Sequence, residues 1–118
     1  MGTFEVDVEV GDLRGQRFEP VRALVDTGCT YMCVPGPVLR MLGVEAQERQ
    51  RFEIADGREA EYDIGQAQIR LGGRTRYNIV VFGAEDSAPL LGAVTLESFG
   101  LGVDPVGQRL VPVVGLMM

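Results

Sequence analysis

Asp26-Thr27-Gly28 closes the apolar run Val21-Arg22-Ala23-Leu24-Val25, which sets a carboxylate in a tight turn just past a segment apolar enough to be a strand buried on both faces. A carboxylate fixed by backbone geometry at a strand end can hold a water in line with a reacting bond and act as general acid or base. The motif occurs once in 118 residues. Amide hydrolysis by water and carboxylates alone uses two such groups sharing one proton, because like charges about 3 Å apart cannot both ionise. A chain that supplies one carboxylate therefore implies a symmetric pair of chains.

The segments around the motif read as β structure almost throughout. Phe4, Val6, Val8 and Val10 alternate with acidic residues, the period-two pattern of a strand with one wet face. Gly11-Asp12 and Gly15 mark a turn, and residues 16 to 25 form the return strand. Tyr31 to Val34 predicts a short strand stopped by Pro35-Gly36-Pro37, followed by one or two helical turns over Val38 to Leu42 with Gly43 as C-terminal cap. Arg49 to Ile54 and Glu59 to Ile69 flank Ala55-Asp56-Gly57-Arg58, whose Asp-Gly pair signals a two-residue hairpin turn. Gly72-Gly73 joins Gln66 to Leu71 with Thr75 to Phe82 in a second hairpin. Leu90-Leu91-Gly92 leads into a short helix, Ala93 to Phe99, that ends at Gly100. Strands from Leu101 to Asp104 and from Arg109 to Val114 then turn around Pro105-Val106-Gly107. With no linker, repeat or low-complexity tract, residues 1–118 read as one all-β domain: a small, closed, barrel-like arrangement with one or two short helices.

Composition narrows the chemistry. The formal charge is −6, from 17 acidic residues against 11 arginines and no lysine, and no segment gathers the arginines into a basic run. Nucleic acid is therefore not an expected partner. The absence of histidine removes Ser-His and Cys-His nucleophile pairs and leaves any zinc site with only two cysteines and carboxylates, so neither a metal nor a cofactor is expected. Cys29 and Cys33 are spaced C-x3-C, unlike redox or zinc pairs, and read as two compact thiols in a reducing compartment. No apolar stretch approaches the roughly 20 residues that span a bilayer, and the N-terminus lacks the basic and apolar regions of an export signal. Met1-Gly2 begins a myristoylation pattern, but Val6 stands where Ser or Thr is wanted. A cytoplasmic protein without a membrane partner is expected.

The order of these parts resembles the retropepsin-like (clan AA) aspartic proteases, and more narrowly their bacterial single-domain forms, over about residues 3 to 114. The resemblance rests on Leu24-Val25-Asp26-Thr27-Gly28, the Ala55-Asp56-Gly57-Arg58 hairpin and Leu90-Leu91-Gly92 before a short helix. It implies a homodimeric aspartic endopeptidase acting on peptide or protein substrates, with Asp26 as the catalytic carboxylate facing its copy across a two-fold axis. Thr27 would reach across that axis to lock the two loops, and Gly28 would allow the turn and close substrate approach. Ala55, Asp56, Gly57 and Arg58 would form the flap over bound peptide. Leu90, Leu91 and Gly92 would pack beneath the catalytic loop as support. The apolar run from Leu110 to Met118 fits the family habit of pairing termini at the dimer interface, with Pro112 interrupting its row of donors. Such a pair titrates as one unit and implies a bell-shaped pH profile.

Two features depart from the pattern. Position 29 is Cys where Ala or Ser is usual, and the flap has a single glycine, Gly57, between two charges. Two other readings of the same residues stand beside the protease. One is a non-catalytic dimeric peptide-binding module with the same fold. The other is a thiol redox module built on Cys29 and Cys33, which lacks the expected spacing and any βαβ pattern.

Overall fold

In the computed structural model, which describes residues 4–117, the alternation after Phe4 becomes β1 (Glu5–Gly11), with Val8 and Val10 turned into the core. Met1-Gly2, the start of the myristoylation pattern, and Met118 lie outside the described residues. β2 (Phe18–Val25) returns antiparallel to β1, from Gly11 opposite Phe18 to Glu5 opposite Leu24. This strand starts later than the expected residue 16, because the Asp12 carboxylate takes the Gln16 and Arg17 amides at 2.8 and 2.9 Å. Those two donors are thereby lost to any ladder.

β3 (Met32–Pro35) runs directly into α1 (Gly36–Met41), two residues earlier than expected. Pro37 sits in the first helical turn, where its missing N–H would have had no intrahelical partner. Gly43, at φ +80°, ends the helix: its N–H bonds the Arg40 carbonyl at 3.0 Å and the Val44 N–H bonds that of Leu39 at 2.9 Å. That pair of bonds is the Schellman motif.

β4 (Glu48–Glu53) and β5 (Glu59–Leu71) form the first long hairpin, and β5 continues through Gly72-Gly73 into β6 (Arg74–Gly83). The second turn matches expectation, with Leu71 opposite Arg74 and both glycines at positive φ, 59° and 78°. The first turn differs. Gly57 N–H bonds Ile54 O at 2.9 Å and Ile54 N–H bonds Arg58 O at 2.8 Å, so the loop is Ala55–Gly57 rather than Asp56-Gly57 alone. Gly57 is left-handed at φ +86° and Asp56 is not, because the Asp56 carboxylate accepts the Arg58 amide at 3.0 Å and holds a turn of its own.

β7 (Leu90–Leu91), α2 (Ala93–Ser98), β8 (Leu101–Asp104) and β9 (Arg109–Pro112) complete the described chain. β9 stops two residues short of the expected Val114. Its partner β8 begins only after the cap of α2, so one further bond, Val113 N–H to Gly100 O at 2.8 Å, ends the pairing. The main sheet runs β1-β2-β7-β3-β6-β5-β4, and β1 also pairs with β5 from Glu9–Arg70 to Gly11–Gln68. That extra pairing closes six strands into a ring and leaves β4 as the outer arm of its hairpin. The all-β, closed architecture expected from the sequence is the one observed. One apolar cluster, including Val10, Val34, Ile69, Val80, Leu91 and Phe99, draws on the ring strands and both helices.

Candidate active site

β2 carries the chain to Asp26, and β7 holds it there. Leu24 and Val25 lie parallel to Leu90 and Leu91, and the ladder extends one residue beyond β2, where Asp26 N–H bonds Leu91 O at 3.0 Å. The chain then turns sharply, with Cys29 N–H on Asp26 O at 3.0 Å. Inside this turn the Asp26 carboxylate accepts the Gly28 N–H through Oδ1, also at 3.0 Å. Gly28 is not left-handed; its lack of a side chain matters because a Cβ there would sit 3.3 Å from Asp26 Oδ1. Thr27 is exposed in the same turn.

The loop is seated on α2. Ala93 and Val94, whose amides would otherwise be orphaned in the first helical turn, donate to the carbonyls of Cys29 at 2.8 Å and Thr30 at 2.9 Å. Gly92 makes the approach possible: a Cβ there would collide with the Tyr31 carbonyl and lie 2.7 Å from that of Cys29. Leu90, Leu91 and Gly92 thus lie directly against the Asp26 turn.

Asp26 and Gly28 line a groove of about 770 Å³ that also takes in Ala55 of the β4–β5 hairpin. Asp56, Gly57 and Arg58 do not line it. Asp56 and Arg58 are instead paired with each other at 2.6 Å at the hairpin tip, both exposed. The groove has three aromatic residues that sequence reasoning left unassigned: Tyr31, Phe52 and Tyr62. Their signal was available in the hairpin's alternation, since Gln50 and Phe52 share one face of β4 and Arg49, Arg51 and Glu53 the other.

Cys29 and Cys33 also line the groove, and both are free thiols. The Cys29 Sγ donates to Tyr31 O at 3.2 Å, and its pKa is raised by burial first and by the Asp26 charge second. Burial, with a smaller contribution from Cys29, pushes the Cys33 thiol up to about 11. Thiols held protonated in this way are poor nucleophiles, which removes support from the redox reading. Among the described residues no group of three or more His, Cys, Asp or Glu is placed to hold a metal ion. No helix among them is long and apolar enough to cross a membrane.

The family model described as gag-polyprotein putative aspartyl protease matches residues 13–98, a span that runs from the β1–β2 turn through the Asp26 loop and groove to the end of α2. The chain belongs to this family. No curated protein matches the sequence. Among solved structures, the EIAV protease in complex with the inhibitor HBY-793 aligns with a TM-score of 0.60 at 16% identity, covering 84% of this chain and 89% of that one. The simian foamy virus (mac) protease gives 0.57 at 19% identity, over 81% and 94%. A retropepsin-like aspartic protease from Rickettsia conorii gives 0.54 at 20% identity, over 87% and 85%. At these identities the likeness is one of fold, and the fold is the retropepsin-like one.

Proposed function

We propose that two copies of this chain form an aspartic endopeptidase whose paired Asp26 carboxylates activate a water against a peptide bond. The observation that carries the reading is the state of Asp26 itself: one carboxylate oxygen anchored on the Gly28 amide, the backbone clamped to Leu91, and the residue lining a groove of about 770 Å³. In the dimer, one Asp26 is ionised and takes a proton from the water as its oxygen attacks the carbonyl carbon. The Asp26 of the second copy is neutral and gives its proton to the carbonyl oxygen, so a tetrahedral gem-diol forms with no covalent enzyme intermediate. Collapse of that species breaks the C–N bond as the amine takes up a proton. Acid–base assistance of this kind supplies about 10²- to 10⁴-fold, and orientation with exclusion of water under the hairpin supplies the rest.

The other site residues take supporting roles in this reading. Thr27, exposed in the turn, reaches across the two-fold axis to its counterpart, and Gly28 leaves room beside the carboxylate for substrate. Ala55 to Arg58 form the flap, its tip stiffened by the Asp56–Arg58 pair. Leu90, Leu91 and Gly92 hold the catalytic loop from below. Free thiols at Cys29 and Cys33 suit a reducing, cytoplasmic setting.

Asp26→Asn is expected to lower peptide hydrolysis by about 10³-fold or more while leaving circular dichroism and dimer mass unchanged. A wild-type dimer that cleaves nothing in a broad peptide library between roughly pH 3 and 7 would rule out catalysis. Undiminished peptide binding by that inactive protein and by Asp26→Asn would identify it as a binding module instead.

A further inference from the structure

The turn between β1 and β2 is pinned on both sides by other elements. Gln68 of β5 donates its Nε2 to the Leu13 carbonyl at 2.9 Å, and the same nitrogen lies 3.5 Å from the Tyr77 hydroxyl of β6. On the other side Arg17 donates Nη1 to the Met41 carbonyl at 3.1 Å, which ties the turn to the C-terminal end of α1. Gly15, at φ +68°, lies so close to the Gln68 side chain that a Cβ would come within 3.0 Å of its oxygen. The turn is therefore fixed before anything binds to it, and a ligand has little order left to impose. It is also remote from the groove. Arg17 precedes β2 and Asp26 follows it, which puts roughly 25 to 30 Å of extended strand between them.

This frame presents apolar and cationic side chains to solvent. Leu13, Met41 and Tyr77 are all exposed, Tyr77 by 65%. Among the described residues no other large apolar side chain before Val94 is as exposed as these three. Six of the eleven arginines pair with a carboxylate side chain, but Arg14 and Arg17, both exposed in this turn, pair with none among the described residues. The acid of the turn itself, Asp12, is half-buried and directs one oxygen at the Gln16 and Arg17 amides. Tyr, Met and Arg are the side chains enriched where proteins bind one another, and Lys, Glu and Asp are the depleted ones.

We propose that this surface docks an acidic peptide segment of a partner protein, which sets a Leu, Phe or Tyr side chain among Leu13, Met41 and Tyr77 and carboxylates against Arg14 and Arg17. Charge decides the partner. The chain carries −6, so an acidic segment is repelled by the molecule as a whole and gains where unpaired cations stand beside apolar surface. The same net charge weighs against an anionic membrane, which offers its charge to a whole face of the protein rather than to two side chains. Docking here leaves Asp26 and the groove free, so the proposal stands independently of the peptide-cleaving reading.

The test titrates full-length Asp26→Asn protein with fluorescein-labelled peptides that place Leu, Phe or Tyr among Asp and Glu, and with the same peptides carrying Gln for every acid. Anisotropy is expected to show the acidic peptides binding roughly fivefold tighter than their Gln counterparts, with the gap closing as salt rises. Amide chemical shifts of isotope-labelled protein should move at Leu13 to Arg17, Met41 and Tyr77 and stay fixed at Gly28, Ala55 and Leu90. Arg14→Glu, at a side chain that makes no hydrogen bond among the described residues, should weaken the acidic peptides by about fivefold or more and leave the Gln set nearly unchanged. Tyr77→Ser should weaken both sets alike, and urea midpoints close to that of the parent protein should show that both variants fold. Equal binding of the two peptide sets, no binding of either, shifts confined to the groove, or affinities untouched by both variants overturns the inference. Vesicles of phosphatidylserine that bind where the peptides do not, and are released by Arg14→Glu, would assign the surface to a membrane and overturn it as well. Wild-type protein that binds these peptides at the turn yet never cleaves any peptide sinks only the catalytic reading.

Discussion

Asp26 is one of several aspartates in this chain that accept backbone amides, and comparison with the others shows what sets it apart. Asp12 takes the Arg17 and Gln16 amides, and Asp104 takes those of Gly107 and Val106; these bonds hold both carboxyls below their usual range, and both residues are half-buried. They are turn-builders on the surface. Asp26 takes only the Gly28 amide and lines the groove, beside Cys29, whose thiol its charge helps to keep protonated. Cys33 carries the larger displacement. It lies on β3 between Met32 and Val34, which are fully buried, with its sulfur close to Gly83, where a Cβ would come within 2.7 Å of it. Its folded pKa of about 11 lies above that of an unfolded thiol, so the protein should hold its full stability below the ordinary thiol range. As pH rises toward 11 the unfolded chain ionises first, and stability is lost. Urea midpoints measured from pH 7 to 11 are therefore expected to fall above about pH 9, and less steeply for Cys33→Ala than for wild type. Some slope should survive in that variant, because Cys29 is shifted in the same direction. Identical slopes for the two proteins would show that Cys33 is not the group responsible.

At the level of elements, the Asp26 loop is held by β7 and α2 as well as by the bonds within its own turn. Gly92 is the contact on which this depends, since a methyl group there meets backbone carbonyls, which cannot swing aside as a side-chain end would. Gly92→Ala is expected to destabilise the fold by about 2 kcal/mol, read from the urea midpoint, and to reduce peptide hydrolysis beyond what the loss of folded protein explains. A variant with wild-type stability and activity would show that β7 does not support the loop. The Leu90-Leu91-Gly92 contact could be anticipated because a short apolar pair before a glycine and a helix is a local pattern. The glycines that stop α1 and α2, Gly43 and Gly100, were legible for the same reason, and both take positive φ. Features set by distant residues were not. The ring closes by pairing Glu9 with Arg70, residues far apart in the chain, and nothing in either segment names the other as its partner. Which face of the β4–β5 hairpin looks onto Asp26 follows from that closure, so Tyr31, Phe52 and Tyr62 could be read as strand residues but not as a wall of the site. The hairpin turn itself was misjudged by one residue because Asp56 spends its side chain on the Arg58 amide.

Among the described residues, the segment after β9 exposes a run of apolar side chains. β8 and β9 form a separate two-stranded sheet, anchored to the core through Leu101, Val103 and Leu110. Beyond β9, Val114, Leu116 and Met117 are 92%, 84% and 100% exposed. A two-stranded sheet is marginal in water by itself, and an exposed apolar run beside it is costly to leave wet. A second copy offers the same strands in a self-complementary, two-fold arrangement, and it is also the source of the second Asp26 that the proposed chemistry needs. Val114→Glu combined with Leu116→Glu should therefore shift the protein toward its 12.8 kDa chain mass in light scattering and abolish hydrolysis together with dimerisation. Wild-type specific activity should fall on dilution. Because each copy carries −6, moderate salt should tighten association by screening their repulsion, the reverse of what a dimer held by ion pairs would do. A double variant that remains dimeric and active would place the two-fold axis away from this tail, and specific activity constant down to the lowest measurable concentration would mean that a lone chain cleaves without a second Asp26.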